Sequence, residues 1–427
     1  MNKIIVLFFM LIVVEAQAAS NLWIGSANEY WTNAANWSPT SVPNSNTNLT
    51  YFNTSGSTPV RLTNEVDNMI TNGGMNINRN GLSLDGRATC KLYLDNPDSA
   101  VDVVFNATGS LFLDFDNFDL GIYCLTNVNF VLSASSALTL VRTSGGTYFE
   151  APNVTLTFDA LSSTGSFRTE RFVISTPVGT NINNFGSVAV YNGILRFARS
   201  FNSTNIYLHG AGFDMTSPSA TLTVTNGITL ASGTNIINAG ASTTLVLSNS
   251  ISGNYPLVIS KDAGSTVTNR WIRFDPPTSI SESEIVSFEG SSGGLGYGTF
   301  YINQTNLFPA VTNLSIDAYT YLYLGKTNLA NDGVSVYITS STTIVDNVAI
   351  NFVSNYVETI GRLYVDGIPQ YQGTWGASGS GATYINDDVF SGLGMINVTE
   401  GPTPIARVLT VGGKALVING KMIEVTQ

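Results

Sequence analysis

Short runs of alternating apolar and polar residues fill most of the chain between residues 82 and 399. Because successive side chains of an extended strand point to opposite faces, each run predicts a strand with one buried face. No long stretch keeps the 3.6-residue period of an amphipathic helix. The pattern therefore predicts an all-β fold, with its clearest strands at residues 91–94, 101–105, 110–115, 137–141, 154–158, 221–224, 244–247, 321–324 and 334–338.

The spacing of these runs, roughly 8 to 12 residues, is compatible with a β-sandwich or a β-solenoid. We favour a solenoid over residues 82–400, because a stretch of this length without a linker exceeds the usual size of one sandwich. We expect about 20 to 25 residues in each coil. Asparagine suits stacked turns, since it tolerates the left-handed conformation and its amide can bond to the next coil. Thr-Asn pairs mark such turns at 126–127, 225–226, 268–269, 305–306, 312–313 and 327–328.

The first segment of the mature chain, residues 19–81, is rich in tryptophan. Trp23, Trp31 and Trp37 fall within its first twenty residues or so. The end of a solenoid leaves an open sheet edge and an exposed core, which an aromatic-rich first coil can cover. We therefore favour an N-terminal cap over the alternative, an exposed aromatic platform that binds sugars.

The tail, residues 401–427, predicts a small β-meander with strands at 408–411, 415–418 and 421–425. Asn419-Gly420 between the last two strands is typical of a two-residue hairpin. Because so small a meander is marginally stable alone, it must bury its apolar face elsewhere. We favour docking as a cap on its own last coil. The alternative is pairing with the tryptophan-rich end of another copy, which would give a homo-oligomer through the ends of the solenoid.

The start of the chain predicts export. Residues 1–18 combine Lys3, an apolar run at 4–14 and the small-x-small site Ala16-Gln17-Ala18. This is the arrangement of a signal peptide, so we expect a mature protein that begins near Ala19 and is secreted or displayed on the cell surface. The apolar run is shorter than the roughly 20 residues of a membrane span, and we expect a chain that does not span the membrane.

Composition narrows the classes of partner. The chain is 43% hydrophobic and only 11% charged, with a formal net charge of −11. A polyanion would meet a repulsive field, which excludes nucleic acid as a partner.

The exported location would permit a disulfide between Cys90 and Cys124, provided that their Cα atoms lie within about 7 Å. Two buried free thiols are the alternative, and both remain open at this point.

Two end motifs carry a family resemblance. The opening motif is Trp23-x-Gly25, Tyr30-Trp31, Asn36-Trp37 and Val42-Pro43, and the closing motif is Leu363-Tyr364-Val365-Asp366-Gly367, Gly373-Thr374-Trp375-Gly376, residues 379–382, Phe390-Ser391-Gly392-x-Gly394 and Ile396-Asn397-Val398. With these motifs the chain resembles bacterial secreted proteins with autotransporter-associated β-strand repeats. The resemblance implies a right-handed parallel β-helix that acts as a passenger or surface module rather than as an enzyme. The tail is too short for the translocating barrel of an autotransporter.

The densest acidic cluster is Asp114, Asp116 and Asp119. It lacks the glycine and glutamate positions of a calcium loop, although Asp114 and Asp116 share one face of a strand and could bind Ca²⁺ weakly. We favour a solvated outer face that discourages strand aggregation.

Charged residues in alternating strands support an enzymatic alternative. Pectate-lyase-like solenoids use a basic proton acceptor with acidic ligands for Ca²⁺, and glycosidases need two or three clustered carboxylates. Convergence of three or more of the candidates in one cleft would favour a lyase or glycosidase. The candidates are Asp114, Asp116, Arg168, Glu170, Arg196, Arg199, Arg270, Arg273 and Asp275.

The remaining titratable residues are better explained by structure. Asp387-Asp388 lies in the closing motif, where we expect the side chains to cap a turn. His209 has no serine or cysteine motif beside it, so we expect a bystander imidazole. We therefore assign no catalytic, cofactor-binding or metal-binding residue.

The sequence predicts an exported, non-catalytic β-solenoid with a structural, adhesive or extracellular-matrix role. The expected partner is an extracellular polysaccharide or a cell-surface component. The alternative is a polysaccharide-degrading lyase or glycosidase on a parallel β-helix.

Overall fold

The computed structural model describes residues 19–24, 31–52, 60–61, 68–77, 82–85, 90–94, 103–107, 111–114, 120–125, 127–132, 138–141, 148–160, 171–174, 184–197, 202–215, 221–262, 271–276, 278–281, 285–290, 298–326, 328–340 and 349–402, with short strands between 407 and 425. Regular structure in these residues is almost entirely strand. A short 3₁₀ turn at Ala34–Asn36 is the one helical element among them.

The first sixteen strands are β1 (Ala19–Trp23), β2 (Trp37–Ser38), β3 (Ser45–Phe52), β4 (Val60–Arg61), β5 (Asn68–Ile77), β6 (Leu82–Asp85), β7 (Cys90–Leu94), β8 (Val103–Ala107), β9 (Leu111–Asp114), β10 (Leu120–Cys124), β11 (Val128–Leu132), β12 (Leu138–Val141), β13 (Tyr148–Ala160), β14 (Arg171–Ile174), β15 (Asn184–Tyr191) and β16 (Ile194–Phe197). The next fifteen are β17 (Asn202–His209), β18 (Gly212–Met215), β19 (Thr221–Val224), β20 (Gly227–Ser232), β21 (Asn235–Ala239), β22 (Thr244–Leu247), β23 (Ile251–Ser252), β24 (Leu257–Lys261), β25 (Ile272–Phe274), β26 (Ile285–Gly290), β27 (Gly298–Ile302), β28 (Asn313–Ile316), β29 (Thr320–Leu324), β30 (Ser335–Ile338) and β31 (Ile350–Phe352). The last are β32 (Val357–Ile360), β33 (Arg362–Val365), β34 (Ile368–Pro369), β35 (Gly373–Gly376), β36 (Tyr384–Ile385), β37 (Phe390–Gly392), β38 (Met395–Val398), β39 (Arg407–Val408), β40 (Thr410–Val411), β41 (Lys414–Ala415), β42 (Val417–Ile418), β43 (Lys421–Met422) and β44 (Glu424–Val425).

Three large sheets contain most of the described strands. Sheet A joins β1, β2, β3, β5, β7, β8, β10, β11, β13, β15, β17, β20 and β23; sheet B joins β4, β6, β9, β12, β14, β16, β18, β21, β24, β26, β28, β30, β33 and β34; sheet C joins β19, β22, β25, β27, β29, β31 and β37. Pairing within them is parallel except for β1 with β2 and β33 with β34. The predicted all-β class is confirmed, and each of the nine clearest predicted strands overlaps an observed one.

In the three large sheets, most parallel pairs join strands that are two or three elements apart in sequence, with a strand of another sheet between them. β24 and β26 pair in sheet B, while the intervening β25 pairs with β27 in sheet C. The length of chain between partners is less regular than the predicted repeat. Ile194 pairs with Gly212, whereas Val258 pairs with Ser287.

Sheets B and C pack against the same core. Phe288 of β26 meets Phe274 and Phe300 of sheet C, with ring centroids 6.1 Å and 5.0 Å apart, and Phe308 at 5.9 Å. All four rings are fully buried, which stabilises the fold by about 1.5 to 3 kcal/mol per side chain. Side chains that alternate with these rings point away from the core, and those of the two sheets form separate outward faces.

Asparagine turns link successive strands as the sequence predicted. Asn306 and Asn328 have left-handed backbones, with φ of +55° and +52°. The Asn249 amide donates to the Thr225 carbonyl at 2.8 Å, which ties one turn to the preceding one. The expectation for the pair at 312–313 is wrong, because Asn313 begins β28, where its backbone pairs with neighbouring strands.

The three N-terminal tryptophans are buried. Trp37 packs edge-on against Trp23 and Trp31, with centroids 5.0 Å and 4.7 Å apart, and all three rings are at most 2% exposed. The Trp31 indole donates to the Pro43 carbonyl at 2.9 Å. Their burial excludes these rings as an exposed sugar platform and favours the structural interpretation.

The tail contains the predicted hairpin. β42 and β43 pair antiparallel, with Ile418 opposite Lys421 on either side of Asn419-Gly420.

Sheet register separates the two cysteines. Cys90 is opposite Leu120 at the start of the β7–β10 pair, and Cys124 is opposite Leu94 at its end. Four residues of strand place their Cα atoms about 13 Å apart. This exceeds the disulfide limit of about 7 Å, so a bridge between them is excluded.

Within the described residues, no helix has the length and apolar character needed to cross a membrane.

Candidate functional site

The outward face of sheet C carries a row of large side chains. Arg273, Tyr301, Tyr323 and Asn351 are register partners on β25, β27, β29 and β31. The residues that flank them in each strand, such as Phe300, point into the core and are buried. Because adjacent strands lie about 4.8 Å apart, the outward side chains form one continuous surface that crosses the strands.

Four aromatic rings cluster on this surface. Trp271 lies 5.4 Å from Tyr301 and 5.1 Å from Tyr323, and Tyr321 lies 4.5 Å from Tyr323, all between ring centroids. Each of these side chains is half-buried. We call Trp271, Tyr301, Tyr321 and Tyr323 the aromatic face.

Polar groups border the aromatic face on both sides. The Arg273 Nη2 donates to both carboxylate oxygens of Asp275, at 3.1 Å and 2.9 Å. On the opposite side, the Asn351 amide donates to the Tyr321 hydroxyl at 2.9 Å. The Ser391 hydroxyl, in register with Asn351, is buried without a hydrogen-bond partner. The border therefore offers the Tyr321 hydroxyl and the Asn351 amide, while the Arg273–Asp275 ion pair is locally neutral.

The Tyr323 hydroxyl on this face stays protonated at neutral pH. Burial, together with the neighbouring Tyr321, raises the pKa of Tyr323 to about 12. A protonated phenol both donates and accepts a hydrogen bond. The face therefore combines apolar ring surface with neutral hydrogen-bonding groups.

A surface of this kind suits a sugar. A pyranose ring has an apolar side of C–H groups and a rim of hydroxyls, so it can pack on an aromatic ring while its rim bonds to polar neighbours. A polysaccharide chain that crosses the strands would meet Tyr301 and Tyr323 in succession, with Trp271 beside both rings.

The described candidates for catalysis do not converge. Arg196 lies in sheet B, where its Nη2 contacts the Asp214 carboxylate at 2.6 Å, whereas Arg273 and Asp275 pair on sheet C. Among the described residues, no group of three or more His, Cys, Asp or Glu side chains could hold a metal ion. The side chain of Asp114 lies outside the described part of the structure. The remaining candidates also lie outside the described residues, and they are Asp116, Asp119, Arg168, Glu170, Arg199 and Arg270.

Asp214 belongs to a polar ladder that sequence reasoning missed. Its carboxylate is only 2% exposed, and it also accepts a hydrogen bond from the Asn238 amide at 3.1 Å. Arg196, Asp214 and Asn238 are register partners on β16, β18 and β21. The ion pair and the amide engage both carboxylate oxygens, which gives the ladder a structural role.

The other predicted bystanders make structural contacts. Asp387 accepts a hydrogen bond from the Ser378 backbone N–H at 2.6 Å, which confirms that it caps a turn. The Asp388 backbone N–H donates to the Asn386 side chain at 3.1 Å. His209 stacks on Tyr191 with centroids 4.0 Å apart, and burial lowers the pKa of its imidazole.

Two buried ions lie on the core side of the sheets, at positions that the sequence analysis left unmarked. Glu358 is 5% exposed, and its Oε1 accepts hydrogen bonds from the backbone N–H groups of Leu329 and Ala330 at 2.8 Å and 3.1 Å. Burial raises its pKa to about 7. Lys261 is 1% exposed, and its Nζ donates to the Gly240 carbonyl at 2.6 Å. Both ions bond to backbone of a neighbouring segment, which indicates a role in stability.

The aromatic face also escaped sequence reasoning, although a signal was present. Tyr301 stands between Phe300 and Ile302, and Tyr323 stands between Leu322 and Leu324. Each tyrosine thus occupies the outward position of an alternating run, where a polar residue is usual.

Comparisons with family models, with curated proteins and with solved structures give no match for this chain. Its function is therefore inferred from the geometry above.

Proposed function

We propose that this protein is an exported, non-catalytic β-solenoid that binds extracellular polysaccharide through the aromatic face, in a structural, adhesive or matrix role. The observation that carries the proposal is the cluster of Trp271, Tyr301, Tyr321 and Tyr323 on the outward side of sheet C. The fold needs apolar residues on the core side of these strands, but it does not need large rings on the outward side.

Charge favours a neutral glycan. The chain carries a formal net charge of −11, which repels acidic polysaccharides at long range. The Arg273 guanidinium beside the aromatic face is neutralised by Asp275 at 2.9 Å. Ring stacking and hydroxyl hydrogen bonds therefore remain as the main attractive forces.

The proposal includes a solenoid architecture. Its support is the alternation of consecutive strands between parallel sheets that share a core, together with the resemblance to proteins with autotransporter-associated repeats. Successive coils would place strands in sheets A and B in the N-terminal part of the chain and in sheets B and C in the C-terminal part. Right-handed crossovers are the usual hand for parallel strands. Small-angle scattering tests this architecture, because a rod is expected and a globular radius of gyration would contradict it.

Fluorescence quenching tests binding directly. Of the five tryptophans, Trp23, Trp31, Trp37 and Trp375 are at most 8% exposed, whereas Trp271 is half-buried. We expect acrylamide to quench mainly Trp271, and xylan or galactomannan to protect it. Pectin and alginate should protect it less because they are acidic.

Substitution shows whether the protection depends on the aromatic face. Tyr301→Ala should weaken binding of xylan or galactomannan by about tenfold, the usual scale for a buried aromatic contact. Tyr255→Ala is the matched control, since Tyr255 is 40% exposed and makes none of these ring contacts. Equal binding by both variants would defeat the proposed site.

Two further measurements address the rest of the proposal. Incubation with the same polysaccharides should release no new reducing or unsaturated ends, and release that is lost on a single substitution would support the enzymatic alternative. Sequencing of the exported protein should find an N-terminus near Ala19, and retention of Lys3 would contradict a cleaved signal peptide.

A further inference from the structure

A concave site lies on sheet B, close to its last strands. A cleft of about 380 Å³ is lined by Arg362, Tyr364, Pro369, Gln370, Glu400 and Pro402, among others. This volume falls within the range of small-ligand pockets, and a cleft of this size fits one or two sugar rings but no protein domain.

The cleft has an aromatic wall that is held rigidly. Tyr364 stacks on Tyr337 of the neighbouring strand, with centroids 4.7 Å apart and ring planes within 7°. One face of Tyr364 is therefore covered, and the ring meets the cleft with its other face or its edge. Tyr337 and Tyr364 are register partners, so the sheet fixes their position.

The rest of the cleft is polar and locally neutral. The Arg362 Nε lies 3.2 Å from the Glu400 carboxylate, and both side chains are more than half exposed. The Gln370 amide donates to the Ile368 carbonyl at 2.8 Å. A matched cation and anion beside an aromatic ring can bond to sugar hydroxyls, whereas a charged ligand would have to displace one of the pair.

We infer that this cleft is a second binding site for a neutral glycan, and that the protein therefore cross-links polysaccharide chains. The inference rests on the proposed function, because it gives the aromatic face and the cleft the same class of ligand. The two sites lie on the outward faces of different sheets around one core. A chain that follows the outward face of sheet C runs along a different face from the one that carries the cleft, so each protein would hold two chains.

The test uses xylan and galactomannan in two measurements on the full chain. Binding is measured by affinity electrophoresis in gels that contain each polysaccharide, and cross-linking by clumping of beads coated with it. We expect the wild-type protein to bind and to clump beads. Tyr364→Ala should still bind through the aromatic face but lose clumping, with apparent affinity for coated beads falling about tenfold or more as bivalency is lost.

Further variants keep the outcomes separate. Arg362→Gln, at an exposed position, replaces Tyr364→Ala if that variant does not fold. Tyr301→Ala should bind through the cleft without clumping, and Tyr255→Ala should behave as wild type.

Clumping by the Tyr364 and Arg362 variants at the wild-type level would overturn the cleft as a binding site and leave the proposed function standing. If Tyr364→Ala lost all binding while Tyr301→Ala kept the binding of the wild-type protein, the aromatic face would be overturned as the proposed site and the cleft would be retained. Absence of wild-type binding to both polysaccharides would overturn both.

Discussion

Sheets B and C have similar interiors and different exteriors. Toward the core, β26 and β28 place Phe288 and Ile316, while β27 and β29 place Phe300 and Leu322, all buried. Toward solvent, the same pair of sheet B strands carries Ser287 and Ser315, whereas the sheet C strands carry Tyr301 and Tyr323. The interior is constrained by close packing, but the exterior is not. Large rings on the exterior of β27 and β29, where the corresponding strands of sheet B carry serines, therefore point to a use other than folding.

Damage to the shared interior should have the largest effect. Phe288→Ala removes a fully buried ring that contacts Phe274, Phe300 and Phe308. We expect the free energy of unfolding to fall by about 3 to 5 kcal/mol, measured by denaturant titration. The adjacent outward residue supplies the control, and Ser287→Ala should change stability by less than about 0.5 kcal/mol. Similar losses in both variants would contradict the division into interior and exterior.

A buried carboxylate makes the interior sensitive to pH. The pKa of Glu358 is raised from 4.5 to about 7 by burial, with a smaller contribution from Asp332. Between these values the folded protein binds more protons than the unfolded chain, so stability is highest below the lower value and falls as pH rises to 7. The loss should be on the order of 3 kcal/mol.

Stability measured from pH 4 to pH 8 checks this, with Glu358→Gln expected to flatten the profile. Glu400→Gln is the matched control, because Glu400 is exposed and should leave the slope in place. A slope that persists in the Glu358 variant would show that another group causes it.

Truncation on the sheet C exterior should affect stability only slightly. Trp271→Ala removes contacts to Tyr301 and Tyr323 from a half-buried position. We expect a loss of about 1 kcal/mol, on the scale of aromatic pair energies and well below the effect of Phe288→Ala. Thermal unfolding measures this, with Tyr255→Ala for comparison. A loss as large as that of a core ring would mean that the aromatic face is part of the packing.

The smallest effect should come from making the sheet B exterior resemble that of sheet C. Ser315 lies in register beside Tyr337, which already stacks on Tyr364. Ser315→Tyr would extend this stack and stabilise the sheet by about 0.2 to 1 kcal/mol. Ser315→Ala is the control, and it should lie within about 0.5 kcal/mol of wild type. Destabilisation by the tyrosine would show that the outward position has no room for a ring.

The strands and several turns could be predicted from the sequence because their causes are local. Alternation within four or five residues decides which side chains face inward, and β21, β27 and β29 show it in full, with buried and partly exposed residues in turn. Asn419-Gly420 predicted a hairpin because few residue pairs favour the left-handed backbone of a two-residue turn, and β42 and β43 pair on either side of it. Burial of the tryptophans near the N-terminus followed from their density next to an open end.

Contacts between distant strands were decided by the tertiary structure alone. Register places Cys90 and Cys124 at opposite ends of two paired strands, and it aligns Arg273, Tyr301 and Tyr323 across three neighbouring ones, with Trp271 beside the two tyrosines. Alternation along one strand carries no information about which residue of another strand lies beside it, because that choice depends on the length of every intervening turn. The aromatic face and the buried Glu358 both arise from such pairings, so the residues were visible in the sequence while the surfaces they form were not.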